Sequence, residues 1–196
     1  ANRDYRTVNP EYGSMEDFIH LVEEIHRRGM KCIIDVVYNH TSPDSTLVRE
    51  HPEYFYRKPD GSRGNKVGDW TDVVDLDYGV PALWEYQIES LCFWAGYGDG
   101  FRCDVASTVP VGFWKAARQA VEQVRPGAIW LGESVHLEHI RRFREQGYYA
   151  ATDTELFDAF DILYPYDLWP LYEGCSEGQL PLSRYFDAVD RQELSF

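Results

Sequence analysis

The stretch GFRCDVAS, residues 100–107, decides the fold of this protein. Arg102 and Asp104 lie two positions apart in an otherwise apolar run. Side chains alternate along a strand, so the two charged residues share one face while Phe101 and Cys103 share the other. A buried charge is costly unless it is paired. The stretch therefore predicts a buried strand that carries an arginine–aspartate pair near its carboxyl end.

Helices and strands alternate along the chain on both sides of this stretch. Helical periodicity and capping residues predict helices at 14–28, 81–95, 111–125, 137–147 and 180–191. Apolar runs predict strands at 31–37, 100–106, 128–133 and 156–164. Such alternation is typical of right-handed βαβ units around a parallel sheet. Two architectures have this pattern, an open doubly wound sheet and a (β/α)8 barrel of the TIM type.

Polar residues at the ends of the predicted strands favour the barrel. The chain contains no GxGxxG or GxxxxGK phosphate loop, which would favour the open sheet. Instead, polar side chains follow or end three successive strands, and barrel enzymes assemble their active sites at that end. These residues are Asp35, Asn39, His40, Arg102, Asp104 and Glu133.

The two strand-end carboxylates suggest acid–base chemistry on a glycosidic bond. A guanidinium beside Asp104 would keep that carboxylate ionised, as a nucleophile requires. Glu133 ends the next strand in apolar company, so we expect burial to raise its pKa, as a general acid requires. Neighbouring strands lie about 4.8 Å apart, near the ~5–5.5 Å gap between the carboxyls of retaining glycosidases. Inverting enzymes use a wider gap of ~6.5–9.5 Å.

Composition narrows the class of partner. The net charge is −14, from 19 basic and 33 acidic residues, which argues against nucleic acid and anionic membrane surfaces. No apolar run reaches the ~18 residues of a membrane helix, and no signal peptide opens the chain. Cys32, Cys92 and Cys103 lie in apolar runs, where free cysteine is common, so we predict reduced thiols and a cytoplasmic protein.

Three short motifs together resemble the α-amylase family, glycoside hydrolase family 13. They are DVVYNH (35–40), GFRCDVA (100–106) and GES (132–134), which resemble that family's first three sequence regions in order. DVVDLDY (72–78) resembles a further block near the end of the family's loop domain. The resemblance places the motifs on barrel strands three, four and five. It implies a partial barrel of about the middle four βα units, since about 250 residues are typical of the whole fold.

The same resemblance implies a division of the chain and of the site. Residues 1–40 and 81–196 would belong to the barrel, and 41–80 would be a small domain inserted after strand three. Asp104 matches the catalytic nucleophile, Glu133 the acid/base and Arg102 the residue that orients the nucleophile. The remaining matches and candidates are His40, Tyr38 and Trp70 for substrate binding, and Asp35 and Asn39 for support of the site. Trp70 has two interpretations, a ring that stacks on sugar or an anchor of its loop.

The implied activity is a retaining hydrolase of α-glucans or maltooligosaccharides. Transglycosylation through the same intermediate, or a non-catalytic scaffold or binding module of the same fold, are the alternatives. The family's later His-Asp pair, which carries the third catalytic carboxylate, is absent from the sequence. A barrel that stops at four strands would also leave raw sheet edges, which predicts self-association of a truly truncated chain.

No metal or cofactor is predicted. Asn39 matches a calcium ligand of the calcium-binding members, but Ser107 and Thr108 stand where calcium-dependent amylases have a lysine–histidine pair. Glu133 and His136 have the spacing of half a di-iron motif, but such sites are built on long helices, and Glu133 ends a predicted strand.

Overall fold

The computed structural model describes residues 3–68 and 70–193. The strands are β1 (Ile33–Val37), β2 (His40–Thr41), β3 (Val74–Asp75), β4 (Gly100–Asp104), β5 (Ile129–Gly132) and β6 (Ile162–Leu163). The helices are α1 (Met15–Arg27), α2 (Thr46–Glu50), α3 (Pro81–Ala95), α4 (Val111–Val124), α5 (Leu137–Glu145), α6 (Asp153–Leu156), α7 (Trp169–Ser176) and α8 (Leu182–Glu193).

The main sheet is parallel and follows the chain order of its strands. Its four strands pair as β1-β4-β5-β6, and β2 and β3 form a separate antiparallel pair. The register sets Asp35 beside Arg102 and Arg102 beside Leu131. Within the described residues the sheet does not close into a barrel. The predicted parallel α/β arrangement is confirmed, and its strand order is that of successive βαβ units.

The strand alternation separates the core from the polar face as predicted. Phe101, Cys103 and Trp130 point into the core and are almost completely buried. Phe113 and Trp114 of α4 pack against this side of the sheet, with the ring of Trp114 at the centre of an aromatic cluster. Burying large aromatic side chains is the main favourable contribution to such a core. The charged residues Arg102 and Asp104 lie on the opposite face of the sheet.

Local signals set several helix boundaries. Ser14 accepts a hydrogen bond from the Asp17 N–H, and the Asp17 carboxylate accepts one from the Ser14 N–H, which forms the expected capping box of α1. Pro81 begins α3, where a missing N–H costs nothing. Gly29 follows α1 with a positive φ of 73°, a conformation that glycine adopts without strain.

The prediction of a strand over 156–164 is wrong for most of that range. Thr152 and Glu155 form a capping box that begins the short helix α6, and the strand is confined to Ile162–Leu163. Helix α7 was not predicted, because its aromatic sequence lacks a clear apolar stripe. Strand β4 also ends at Asp104, two residues before the predicted end, because Val105 turns the chain.

Segment 41–80 packs into the same core as the sheet. Leu47, Tyr54, Phe55 and Leu76 are buried in the main hydrophobic cluster. The pairing of His40 with Asp75 ties the two ends of this segment together. Its status as a separate inserted domain remains a prediction.

Two further observations bear on the environment of the protein. Cys32, Cys92, Cys103 and Cys175 are all unpaired, as expected. In the part of the chain that the structure describes, no helix combines the length and apolar character needed to cross a membrane.

Candidate active site

Arg102 is the centre of a charged cluster at the carboxyl ends of three adjacent strands. Its Nη1 lies 2.7 Å from Oδ1 of Asp104 and 3.1 Å from Oδ1 of Asp35. Its Nη2 lies 2.9 Å from Oε2 of Glu133. One guanidinium therefore bridges carboxylates that come from β1, from β4 itself and from the residue after β5. The planar fork of arginine suits such a multiple contact, which a lysine could not reproduce.

The structure brings Asp104 and Glu133 together but corrects the predicted surroundings of Glu133. We expected burial in apolar company to raise the pKa of Glu133, and this is wrong, because polar groups from other parts of the chain surround the carboxyl. Besides the contact with Arg102, Oε2 of Glu133 accepts a hydrogen bond from the Val105 N–H at 3.0 Å. Oε1 accepts one from the Tyr166 hydroxyl at 2.8 Å. The side chain is consequently held at both oxygens.

Val105 aims its N–H at Glu133 through an unusual backbone conformation. Its φ is 46° and its ψ is 42°, and it is the one non-glycine residue with positive φ in the described residues. A β-branched residue in this region costs about 1–2 kcal/mol. The turn also lets the Ala106 N–H donate to the Glu133 carbonyl at 2.8 Å, so the chains after β4 and β5 stay paired. Strained residues of this kind cluster at functional sites.

The two carboxyls ionise as a pair, with the reverse of the predicted order. Burial raises the pKa of Asp104, and its hydrogen bond with Arg102 opposes that rise without cancelling it. Burial also acts to raise the pKa of Glu133, but the Val105 N–H, the Tyr166 hydroxyl and Arg102 outweigh it and lower the pKa below its usual value. Two close carboxyls repel each other when both are ionised, and a proton taken up by the pair is favoured on Asp104 in this structure.

His40, Asn39 and Trp70 form a second part of the site beside this cluster. Asn39 is buried, and its Oδ1 accepts a hydrogen bond from Oγ1 of Thr108 at 2.8 Å. Its Nδ2 lies 3.2 Å from Nδ1 of His40. Burial lowers the pKa of His40, which favours the neutral ring. The support role predicted for Asn39 fits these contacts.

Trp70 and Asp35 take positions that the sequence left open. The Trp70 ring meets the His40 ring edge to face, with centroids 5.2 Å apart, and its carbonyl accepts a hydrogen bond from Asn65. Trp70 thus anchors its loop and stands next to the predicted sugar-binding histidine. Asp35 touches Arg102, but its side chain is 62% exposed, so it lies at the open side of the cluster.

Tyr38 does not line this site, and its predicted contact with substrate is not supported. The residue is 1% exposed, and its hydroxyl donates to Oγ of Ser90 at 3.0 Å. Its ring is stacked on Trp114 at an interplanar angle of 5°. Burial raises its pKa well above the ordinary value. Tyr38 belongs to the core side of the sheet, where it continues the face of Val36.

Two tyrosines that sequence reasoning missed complete the cluster. Tyr164 and Tyr166 follow β6, and their rings stack with centroids 5.7 Å apart. The Tyr164 ring also lies 5.7 Å from the guanidinium carbon of Arg102, within range of a cation–π contact. The signal that could have found them is the aromatic Tyr-Pro-Tyr sequence directly after a strand, at the edge where the other polar residues gather.

The residues around Asn39 do not fit a calcium ion. The Asn39 oxygen that would ligate the metal accepts the neutral hydroxyl of Thr108. Among the described residues, no three His, Cys, Asp or Glu side chains converge in a way that could hold a metal. Calcium binds several charged or carbonyl oxygens at once.

Comparisons with known proteins point to one family. The family model of the α-amylase catalytic domain matches residues 1–72. A curated α-1,4-glucan:maltose-1-phosphate maltosyltransferase of Myxococcus xanthus is 32% identical over 137 residues, and neopullulanase 2 of Thermoactinomyces vulgaris is 31% identical over 157. The alignments cover 66% and 68% of this chain but 20% and 26% of those proteins. The chain thus spans about a quarter or less of the curated relatives named here.

Solved structures agree over the whole chain. The crystal structure of an α-amylase from Lactobacillus plantarum is 48% identical in sequence, with a TM-score of 0.94. The alignment covers 100% of this chain and 46% of the Lactobacillus plantarum chain. A maltogenic α-amylase from Thermotoga neapolitana is 34% identical with a TM-score of 0.81, covering 100% and 42%. These neighbours are barrels of the TIM type, which confirms the predicted fold class. The chain therefore belongs to the α-amylase family and forms part of its catalytic barrel.

Proposed function

We propose that these residues carry the catalytic pair of a retaining glycosidase that acts on α-glucosidic bonds. The observation that carries the proposal is the bridging of Asp104 and Glu133 by one guanidinium at the tips of adjacent parallel strands. The names of the relatives support the substrate class, since they include two α-amylases, a neopullulanase and a transferase of α-1,4-glucan. Because the chain spans a fraction of each relative, the proposal concerns the complete protein that contains these residues.

The proposed reaction has two steps. Asp104 attacks the anomeric carbon. The bond between that carbon and the leaving oxygen breaks, and a bond between the carbon and Asp104 forms. Glu133 gives its proton to the leaving oxygen. In the second step Glu133 takes a proton from water, whose oxygen displaces Asp104 and releases the sugar.

Substrate binding has to change which carboxyl of the pair favours a proton. Catalysis requires an ionised Asp104 and a protonated Glu133, which together hold one proton. In this structure the raised pKa of Asp104 and the lowered pKa of Glu133 favour the opposite placement of that proton. A glycosidic oxygen near Glu133 would stabilise the proton there, and Arg102 would then stabilise the carboxylate of Asp104.

A transglycosylase is the second candidate, because a maltosyltransferase is among the relatives. The same covalent intermediate serves both reactions, and the acceptor, water or a sugar hydroxyl, decides between them.

We further propose that the protein works in the cytoplasm, which the unpaired cysteines support, and does not bind nucleic acid, which the net charge of −14 supports. Segment 41–80 is proposed as the inserted lobe that brings Trp70 to the site.

The test uses the complete protein with the substitutions Asp104→Asn and Glu133→Gln. Each should lower turnover of maltooligosaccharides by roughly 10³-fold or more, because a nucleophile and an acid/base are not replaceable by their neighbours. Asp158→Asn is the control, since Asp158 pairs with Lys115 at the surface. Proton NMR should show the α-anomer as the first product. Near-normal turnover by Asp104→Asn, or the β-anomer as first product, would refute the proposal.

A further inference from the structure

The segment that follows β6 reaches the acid/base candidate through one hydroxyl. Tyr166 donates a hydrogen bond to Oε1 of Glu133 at 2.8 Å, across 33 residues of sequence. The other oxygen, Oε2, is taken by the Val105 N–H and by Arg102. The two oxygens of Glu133 therefore have different surroundings. Oε2 faces the backbone and a fixed cation, whereas the partner of Oε1 is a side chain from another strand.

Oε1 is the oxygen better suited to exchange a proton. Oε2 already receives two donors, and a proton placed there would compete with both of them. Oε1 receives one donor, and a carboxyl oxygen has two lone-pair directions. The hydroxyl of Tyr166 takes one direction and leaves the other for a proton or a sugar oxygen. A fixed donor on one side also fixes the plane of the carboxyl group.

Tyr166 is itself held in place from several sides. Its ring stacks with that of Tyr164 and lies 5.4 Å, centroid to centroid, from the ring of His136. Nδ1 of His136 lies 3.1 Å from Oδ1 of Asp167, and Oδ2 of Asp167 accepts the Leu137 N–H at 3.1 Å. The hydroxyl is thus positioned by the start of α5 as well as by its own segment, as an arrangement with a preset geometry requires.

We propose that Tyr166 is a positioning residue for Glu133. The hydroxyl of Tyr166 fixes the plane of the Glu133 carboxyl group through Oε1 and favours the ionised acid/base between turnovers. The inference rests on the proposed function for its kinetic consequence. Its physical part, the control of Glu133 by Tyr166, stands on the contacts alone. The phenol gains no charge in this role and does not touch the bond that breaks.

The expected effect on ionisation has a definite sign. A donor to the carboxylate stabilises the charged form, so its removal raises the pKa of Glu133. Since a general acid acts in its protonated form, the alkaline limb of kcat/KM should move to higher pH when the donor is lost. The other charged or titratable groups in and around this contact remain in the variant. Arg102 and Asp104 from β4 contact Glu133 directly. Asp35 from β1 and Tyr164 after β6 contact Arg102, and His136 after β5 contacts the ring of Tyr166.

The experiment compares Tyr166→Phe with Tyr164→Phe in the complete protein. Both variants lose one phenol oxygen from the same segment, but Tyr164 meets Arg102 with its ring and not Glu133 with its hydroxyl. The first readout is a pH titration of Glu133, monitored by carboxyl ¹³C NMR. The Glu133 signal is assigned by comparison with the spectrum of Glu133→Gln. This measurement needs no turnover. The second readout is the pH profile of kcat/KM on a maltooligosaccharide.

We expect Tyr166→Phe to raise the titration midpoint of Glu133 by about 0.5–1 pH unit, the size of one hydrogen bond to a charged group that water partly replaces. The alkaline limb of kcat/KM should move in the same direction, and Tyr164→Phe should leave the titration unchanged. An unshifted midpoint in folded Tyr166→Phe, or an equal shift in both variants, overturns the positioning role. If Tyr166→Phe shifts the midpoint but the unsubstituted complete protein shows no turnover, the positioning role is supported and the proposed function is refuted. The two failures are therefore separable.

Discussion

Replacement of Asp75 by asparagine should remove a pH-dependent loss of stability from this protein. Asp75 lies in β3, 1% exposed, and its Oδ2 accepts the Lys66 N–H at 2.8 Å. Its Oδ1 is buried with no hydrogen-bond partner among the described residues. Burial raises the pKa of Asp75 from 3.8 to about 6, although the Lys66 N–H acts in the opposite direction. Ionisation of Asp75 in the folded protein therefore lowers the free energy of unfolding.

The magnitude follows from the linkage between protonation and folding. The folded state binds the proton more tightly than the unfolded chain, so stability falls as pH rises from about 4 to about 6. The difference between pKa values of 3.8 and about 6 corresponds to about 3 kcal/mol above pH 7. At pH 5 the same calculation gives about half of that cost. Asparagine keeps the acceptor for Lys66 and removes the charge, while its amide N–H groups take the place of an oxygen that has no partner and cost about 1–3 kcal/mol at every pH. The free energy of unfolding of the variant, relative to the unsubstituted protein, should therefore rise by more than about 1 kcal/mol between pH 5 and pH 8.

Urea denaturation of Asp75→Asn and of the unsubstituted protein at pH 5, 6, 7 and 8 measures this rise. EDTA in every sample removes divalent cations, which would otherwise stabilise a buried carboxylate. The control is Asp77→Asn, two residues along the chain, where the carboxylate accepts the Gly79 N–H at the surface. A difference in unfolding free energy between the two proteins that does not rise from pH 5 to pH 8 would refute the reasoning.

Two further substitutions test the packing around the site by thermal unfolding. Gly100→Ala should cost about 1–3 kcal/mol, because a Cβ there would overlap the backbone of Ile129 in the next strand. Gly112→Ala in α4, where a Cβ meets only ordinary contacts, should instead stabilise by about 0.5–1 kcal/mol, and a similar loss for both would contradict the close approach of β4 and β5. Thr108→Val should cost about 1–3 kcal/mol, because it leaves the buried Asn39 oxygen without its hydroxyl donor. A fully stable Thr108→Val, or one that calcium stabilises, would contradict the assigned role of Thr108.

The sequence by itself determined the features that depend on local periodicity and local hydrogen bonds. Alternation along 100–104 placed Arg102 and Asp104 on one face, and the capping box of Ser14 placed the start of α1. The same alternation would have assigned Tyr38 to the core, because it continues the face of the buried Val36. These features need information from no more than a few neighbouring residues, which is why a single sequence suffices.

The tertiary structure decided the surroundings of the catalytic candidates. Glu133 has neither a basic residue nor a tyrosine beside it in sequence, yet Arg102 and Tyr166 both reach it in space. Its lowered pKa results from donors that two separate segments supply, β4 with the residue after it and the segment after β6. The left-handed turn at Val105 likewise exists because pairing with the chain after β5 compensates its strain. Such long-range contacts form when strands meet, and no local pattern encodes them.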